Sequence, residues 1–99
     1  MVAYVILASK PGQFRTEPGP DLHLLESYDY LFYGRKQAHY VIASMEHESK
    51  VRIVDESGGS TVNLVPSKFL PRFDTLEAAR AELRQLASFG SMDIRLVKL

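Results

Sequence analysis

The pattern of hydrophobic and polar residues divides the chain into segments, and each segment predicts a strand, a turn, a loop or a helix. Residues 2–9 are rich in β-branched and aromatic side chains, which favours a strand. Residues 10–13, Lys-Pro-Gly-Gln, have proline second and glycine third, as in a type II turn, so residues 14–17 are expected to return as a short strand. Residues 18–21 contain two prolines and are predicted to form a loop, because proline has no amide hydrogen to donate to a neighbouring strand.

The next segment alternates apolar and polar residues across positions 22–33, which is the periodicity of a strand. Its beginning, residues 21–27, also fits a single helical turn, and both alternatives stay open. A two-residue turn at Arg35 and Lys36 would pair this strand with a second apolar segment that ends at Met45.

That pairing predicts a hairpin with two apolar faces. One face is expected to carry Tyr28, Tyr30, Phe32, His39, Val41, Ala43 and Met45, and the other Leu31, Tyr33, Ala38, Tyr40 and Ile42. A strand pair of this kind must be covered on both faces. The second face could be covered by curling of the sheet into a barrel, by the proline-bounded connection 66–73, or by another molecule.

A second hairpin is predicted around the pair Gly58-Gly59, because glycine permits the positive φ angles of tight hairpin turns. Pairing across that turn sets Ile53 opposite Leu64. The face directed toward the core would then carry Val51, Ile53, Val62 and Leu64. The opposite face would be polar and exposed to solvent.

The last part of the chain predicts a helix over residues 74–88, followed by a strand over residues 92–99. Asp74 is placed to cap the helix, with Glu77 as the second member of a capping box. Gly90 is expected to end the segment. The apolar stripe that would lie on a sheet consists of Leu76, Ala79, Leu83 and Leu86.

Together these elements predict an α+β fold in one domain, residues 1–99. It consists of a mainly antiparallel, curved sheet of five to seven strands, one major helix of about residues 74–88 packed on one face, and a C-terminal strand. Whether the sheet closes into a barrel stays open.

Composition narrows the class of protein. The 99 residues include no cysteine, which excludes disulfides and thiolate metal sites, and no apolar stretch approaches the ~20 residues of a membrane span. The N-terminal apolar run lacks the features of a signal peptide, so a cytoplasmic location is expected. Twelve Lys and Arg balance twelve Asp and Glu, which gives little support to a nucleic-acid partner.

Histidine supplies the main candidate chemistry. In a strand, Glu46, His47 and Glu48 would point to alternating faces, so no metal site is expected there. No glycine loop for phosphate and no cofactor motif is present in the sequence. His39 would act as a base only with a carboxylate to orient it, either Asp29 or Glu26.

These observations lead to three hypotheses of function. The first is a non-catalytic interaction protein that forms a homodimer or binds a protein partner through Leu31, Tyr33, Tyr40 and Ile42. The second is a nucleic-acid-binding module that uses Arg35, Lys36, Lys68 and Arg72 together with exposed Tyr33 and Tyr40. The third is a small-molecule-binding protein or enzyme with a pocket near His39 and Tyr30. No cofactor and no membrane partner is expected.

Overall fold

The computed structural model describes residues 2–59, 61–88 and 92–99. In chain order the strands and the helix are β1 (Ala3–Ser9), β2 (Phe14–Glu17), β3 (His23–Phe32), β4 (Arg35–Met45), β5 (Lys50–Asp55), β6 (Val62–Pro66), β7 (Arg72–Phe73), α1 (Leu76–Leu86) and β8 (Ile94–Lys98). A short 3-10 helix, Ser67–Phe69, lies between β6 and β7.

The strands form two antiparallel sheets. The five-stranded sheet has the order β7-β1-β4-β3-β8, and the three-stranded sheet has the order β2-β5-β6. The α+β class, the antiparallel pairing, the major helix and the C-terminal strand are thereby confirmed. Residues 23–27 belong to β3, so the strand alternative holds there.

The three-stranded sheet covers one face of the five-stranded sheet. Val5, Leu7, Ala43 and Met45 from the larger sheet, Leu22 from the loop before β3, and Val51 from the smaller sheet form one buried cluster. Val65 and Leu70 pack against it, so the proline-bounded connection contributes one side chain to the cover. The face of β4 that carries Val41, Ala43 and Met45 is therefore covered largely by a second sheet of the same chain, whereas Tyr40 and Ile42 pack under α1.

The helix α1 covers the opposite face of the five-stranded sheet. Ala79 and Leu83 are buried against Ile6 and Ile42, with Leu76 and Leu86 at the edge of the cluster, so the apolar stripe is confirmed. The predicted capping box is wrong. Thr75 is the N-cap, and its hydroxyl accepts a hydrogen bond from the Ala78 amide at 3.0 Å. The expected stop at Gly90 lies outside the described residues.

The turn between β3 and β4 is made by Tyr33 and Gly34, and the predicted turn at Arg35 and Lys36 is wrong. Tyr33 has φ +50° and Gly34 has φ +80°, which are the positive angles of a type I′ turn. A bulge then leaves Gln37 of β4 unpaired, so that Tyr28 lies opposite Tyr40. Glycine adopts this conformation at little cost, so Gly34 determines where the chain reverses.

The β5–β6 pairing also differs from the prediction by one residue. Leu64 lies opposite Arg52, and Val62 lies opposite Val54. The connection is longer than two residues, because the Asp55 amide already donates to the Thr61 carbonyl at 2.9 Å. A one-residue shift moves every side chain of a strand to the other face. Val62 and Leu64 are therefore exposed, by 44% and 61%.

The turn at residues 10–13 is confirmed, with φ +77° at Gly12 and a 3.0 Å hydrogen bond from the Gln13 amide to the Lys10 carbonyl. The strand that follows, β2, pairs with β5 of the smaller sheet. Two hydrogen bonds still tie β2 to the edge of β1. The Thr16 amide donates to Ser9 Oγ at 2.9 Å, and the Thr16 hydroxyl donates to the Ala8 carbonyl.

Candidate functional site

Asp29 and His39 lie directly opposite each other on β3 and β4. Directly opposed side chains of an antiparallel pair share a face, and here they are joined by a hydrogen bond of 3.0 Å between His39 Nδ1 and Asp29 Oδ1. Lys36, near the start of β4, places Nζ 3.3 Å from the same oxygen. The structure thus supplies Asp29 as the carboxylate that orients His39.

Glu26, the alternative partner, lies on the other face of the sheet. A bulge between Leu24 and Glu26 shifts the pairing there, and Glu26 lies opposite Ile42, beneath the helix. Tyr30 also lies on that face, and its hydroxyl donates to the Leu86 carbonyl at 3.2 Å. His39 and Tyr30 therefore do not share the expected pocket, because their side chains lie on opposite faces of the sheet.

The contact with Asp29 defines the hydrogen-bonding roles of the His39 ring. The hydrogen bond from His39, and then that from Lys36, hold the pKa of Asp29 below its ordinary value, so this carboxyl is ionised near neutral pH. An ionised carboxylate only accepts hydrogen bonds, and His39 Nδ1 must therefore carry the proton. In the neutral ring Nε2 is then an acceptor.

His39 lines a cavity of about 390 Å³ between the two sheets. Its apolar lining comes from Leu7, Pro11, Phe14 and Val41, and its polar lining from Ser9, Arg15, Thr16, Lys36, His39 and Glu56. The Arg15 guanidinium is bonded to Glu56 at 2.9 Å and to Glu17 at 2.9 Å. Its charge is thus neutralised within the wall of the cavity.

The sequence does not predict that most of the residues lining this cavity lie together. Ser9, Phe14 and Glu56 come from three segments that meet because β2 pairs with β5 of the smaller sheet while Thr16 is bonded to the edge of β1. His39 and Asp29 were candidates from the sequence, yet their pairing depends on the turn at Gly34 and on the bulge that leaves Gln37 unpaired. Lys36 was predicted to contact nucleic acid, and it instead pairs with Asp29.

The residues of the predicted interaction face do not share a surface. Ile42 is completely buried, and Tyr40 packs in the cluster beneath α1. Leu31 lies on the face that carries Asp29, while Tyr33 is in the turn and is 58% exposed. The expected grouping is therefore wrong. Its cause is the shifted register, which places Tyr40 beside Tyr28 under the helix.

The four basic residues predicted to bind nucleic acid lie in two separate parts of the molecule. Arg35 and Lys36 are at the hairpin tip, and Lys68 and Arg72 are elsewhere. Arg72 pairs with Val5, and Val5 pairs with Ala43, which follows Arg35 by eight positions on β4. At about 3.3 Å per strand residue, roughly 26 Å separate Arg72 from the hairpin tip. Arg72 is bonded to Glu48, and Lys68 Nζ lies 5.4 Å from the centre of the Phe69 ring. The structure forms no common patch from these four residues.

The described residues form neither a metal site nor a membrane-spanning helix. Within residues 2–59, 61–88 and 92–99 no three His, Asp or Glu side chains are grouped to hold a metal ion. In the same part of the chain no helix has the length and apolar character needed to cross a membrane. Comparison with protein-family models, curated proteins and solved structures finds no match.

Proposed function

We propose that this protein binds a small molecule in the His39 cavity, and that the ligand is an apolar compound bearing a hydroxyl group. The observation that carries the proposal is the 3.0 Å bond from His39 Nδ1 to Asp29. It makes Nε2 of a cavity-lining ring an acceptor that has no hydrogen-bond partner among the described residues. The volume of about 390 Å³ falls within the range of small-molecule sites.

The chemistry of the lining indicates the class of ligand. A hydroxyl group both donates and accepts, so it matches an acceptor at His39 Nε2 beside the ammonium of Lys36. The charged groups largely cancel, since Lys36 faces Asp29 and Arg15 faces Glu56. A neutral ligand is therefore favoured over an ionic one, and Leu7, Phe14 and Val41 provide contacts for its apolar part.

The proposed role is binding rather than catalysis. A His–Asp pair supplies a base, but nucleophilic catalysis also needs a hydroxyl or thiol bonded to that base. Among the described residues, the hydrogen bond of the His39 ring is to Asp29, and no serine or threonine joins it. The Ser9 hydroxyl in the same cavity accepts from the Thr16 amide.

Phenol and toluene provide a direct test, because they have similar shape and differ in the hydroxyl group. Each is titrated into the ¹⁵N-labelled protein, with the amide signals of Lys36, His39 and Val41 as reporters. Phenol is expected to bind about tenfold more tightly than toluene, the effect of one net hydrogen bond. In His39→Phe this preference is expected to disappear.

The matched control is His23→Phe, which changes an exposed histidine away from the cavity and should keep the preference for phenol. Equal affinities of the two probes for the native protein would contradict the proposal. A phenol preference that persists in His39→Phe would contradict it as well.

A second candidate, association with another copy of the chain, is favoured by the outer surface of the smaller sheet. β6 is an edge strand of that sheet, and it exposes Val62 and Leu64. An unpaired edge with apolar side chains is a template for pairing, and a two-fold axis would let β6 pair with its own copy. The proposed interface therefore lies on β6 rather than on the aromatic face of β3 and β4.

A further inference from the structure

A second cavity, of about 320 Å³, lies on the helix side of the five-stranded sheet. It is bounded by the edge of β1, by β2 and β5 of the smaller sheet, by the connection before β7, and by α1. The lining side chains are Ile6, Ala8, Phe14, Thr16, Tyr40, Ile53, Leu70, Pro71, Glu82 and Leu86.

The cavity exists because β7 is too short to cover the edge of β1. β7 pairs only with Tyr4 and Val5, so β1 continues past it from Ile6 to Ser9. The β2 strand crosses this edge and is held there by the bond from the Thr16 hydroxyl to the Ala8 carbonyl. Beneath β2, the helix and the sheet border an open cavity with a mostly apolar wall.

Three polar side chains interrupt that wall, and the hydroxyl of one of them, Thr16, is already bonded to the Ala8 carbonyl. Of the described residues that line the cavity, Glu82 alone carries a charge. The ion pairs of α1 among the described residues belong to Arg80, which contacts Glu26 and Glu77, and none of them uses Glu82. Its carboxylate therefore remains available to a cation at the cavity.

Tyr40 provides the third polar group. Its ring packs edge-to-face against Tyr30, with centroids 6.0 Å apart. Burial raises the pKa of the Tyr40 hydroxyl, so it stays protonated near neutral pH, and no hydrogen-bond partner is found for it within the described residues. A phenol ring with a free hydroxyl accommodates an ammonium group through both its oxygen and its π face.

We infer that this cavity is a second binding site, distinct from the His39 cavity, for an apolar small molecule that carries one positive charge, such as an aromatic amine. Its apolar body is held by Ile53, Leu70 and Leu86, and its ammonium group pairs with Glu82. The two cavities favour ligands of different charge because their own charged groups differ. Asp29 and Glu56 are paired with cations of the chain, whereas Glu82 forms no ion pair with another described residue.

Benzylamine, toluene and benzoate test this inference, because they share a ring and differ in charge. Each is titrated into the ¹⁵N-labelled protein, and the amides of Ile53, Leu70 and Leu86 report on this cavity alone. Phe14 and Thr16 line both cavities and are excluded as reporters. Benzylamine is expected to bind about fivefold more tightly than toluene, the upper range for a partly exposed ion pair, and benzoate more weakly than either.

Glu82→Gln keeps the shape of the side chain and should abolish the preference for benzylamine. The control Glu77→Gln removes a charge from the same helix outside the cavity and should retain it. The inference is overturned if benzylamine and toluene bind equally, if the preference survives Glu82→Gln, or if no saturable shift occurs at these amides. None of these outcomes affects the phenol response at His39, so the two proposals fail independently.

Discussion

Glu26 shows how one buried carboxylate joins three elements. Its side chain is only 6% exposed, and it accepts hydrogen bonds from Arg80 Nε at 3.0 Å, from the Tyr28 hydroxyl at 2.6 Å and from Lys98 Nζ at 3.3 Å. These donors come from α1, β3 and β8. Because buried carboxylates are costly without partners, the cluster ties the helix to the edge of the sheet.

The same contacts, led by the hydrogen bond from Arg80, lower the pKa of Glu26 to about 2 from the ordinary 4.5. A carboxyl with a lowered pKa stabilises the folded state above the pKa of the unfolded chain, and that contribution is lost as pH falls toward the folded value. Glu26→Gln is therefore expected to lower the melting temperature near neutral pH by about 5 °C. The difference from the native protein should shrink between pH 4.5 and about 2.

Thermal unfolding followed by circular dichroism across this pH range measures the effect. Glu46→Gln, at an exposed position, is the control and should leave the melting temperature nearly unchanged. A destabilisation by Glu26→Gln that is independent of pH would mean that shape rather than charge accounts for it.

At the scale of elements, the two hairpins show what turn geometry decides. In each hairpin the alternation of apolar residues was evident, but the register depended on where the chain reverses. The first turn lies at Tyr33 and Gly34 and not at the predicted position. The second turn differs from the prediction because the connection between Asp55 and Thr61 is longer than two residues. As a result Val51 is completely buried, whereas Val62, expected on the same face, is 44% exposed.

Replacing each valine with threonine tests this register, because the two side chains have the same shape. Val51→Thr places a hydroxyl in the core between the sheets and is expected to destabilise the protein by about 1–3 kcal/mol. Val62→Thr leaves its hydroxyl in solvent, and a change within about 0.5 kcal/mol is expected. Urea unfolding gives both free energies. Similar losses for the two variants would favour the register predicted from the sequence.

At the scale of the whole molecule, the five-stranded sheet is covered on one face by α1 and on the other by the smaller sheet. The two clusters, around Ile42 and around Val51, are separated by the sheet itself. This arrangement leaves the outer surface of β6 as an exposed apolar region, and the two cavities lie where the cover is incomplete.

If β6 pairs with its own copy, light scattering during size-exclusion chromatography is expected to report about twice the chain mass of 11.2 kDa. Leu64→Asp should give monomers, because a charge would be buried at the interface. Leu24→Asp, at an exposed position of the other sheet, should leave the dimer intact. A native protein that remains at 11.2 kDa at high concentration would contradict this candidate.

The sequence by itself determined the features that depend on neighbouring residues. The strand periodicity, the turn at residues 10–13, the apolar stripe of α1 and the α+β class all follow from local side-chain pattern and backbone preference. It also identified Asp29 and Glu26 as alternative partners of His39, without deciding between them. Only the tertiary structure decided the registers, the division into two sheets and the cover of each face.

The physical reason is that these decisions depend on contacts between distant segments. Residues 29 and 39 face each other because the turn at Tyr33 and Gly34 is combined with a bulge that leaves Gln37 unpaired. Phe14 reaches both cavities because β2 pairs with β5. A one-residue shift leaves the apolar pattern of each strand unchanged but reverses its faces. Tyr40 was therefore expected on a free surface, whereas the fold places it beneath the helix, at the wall of a cavity.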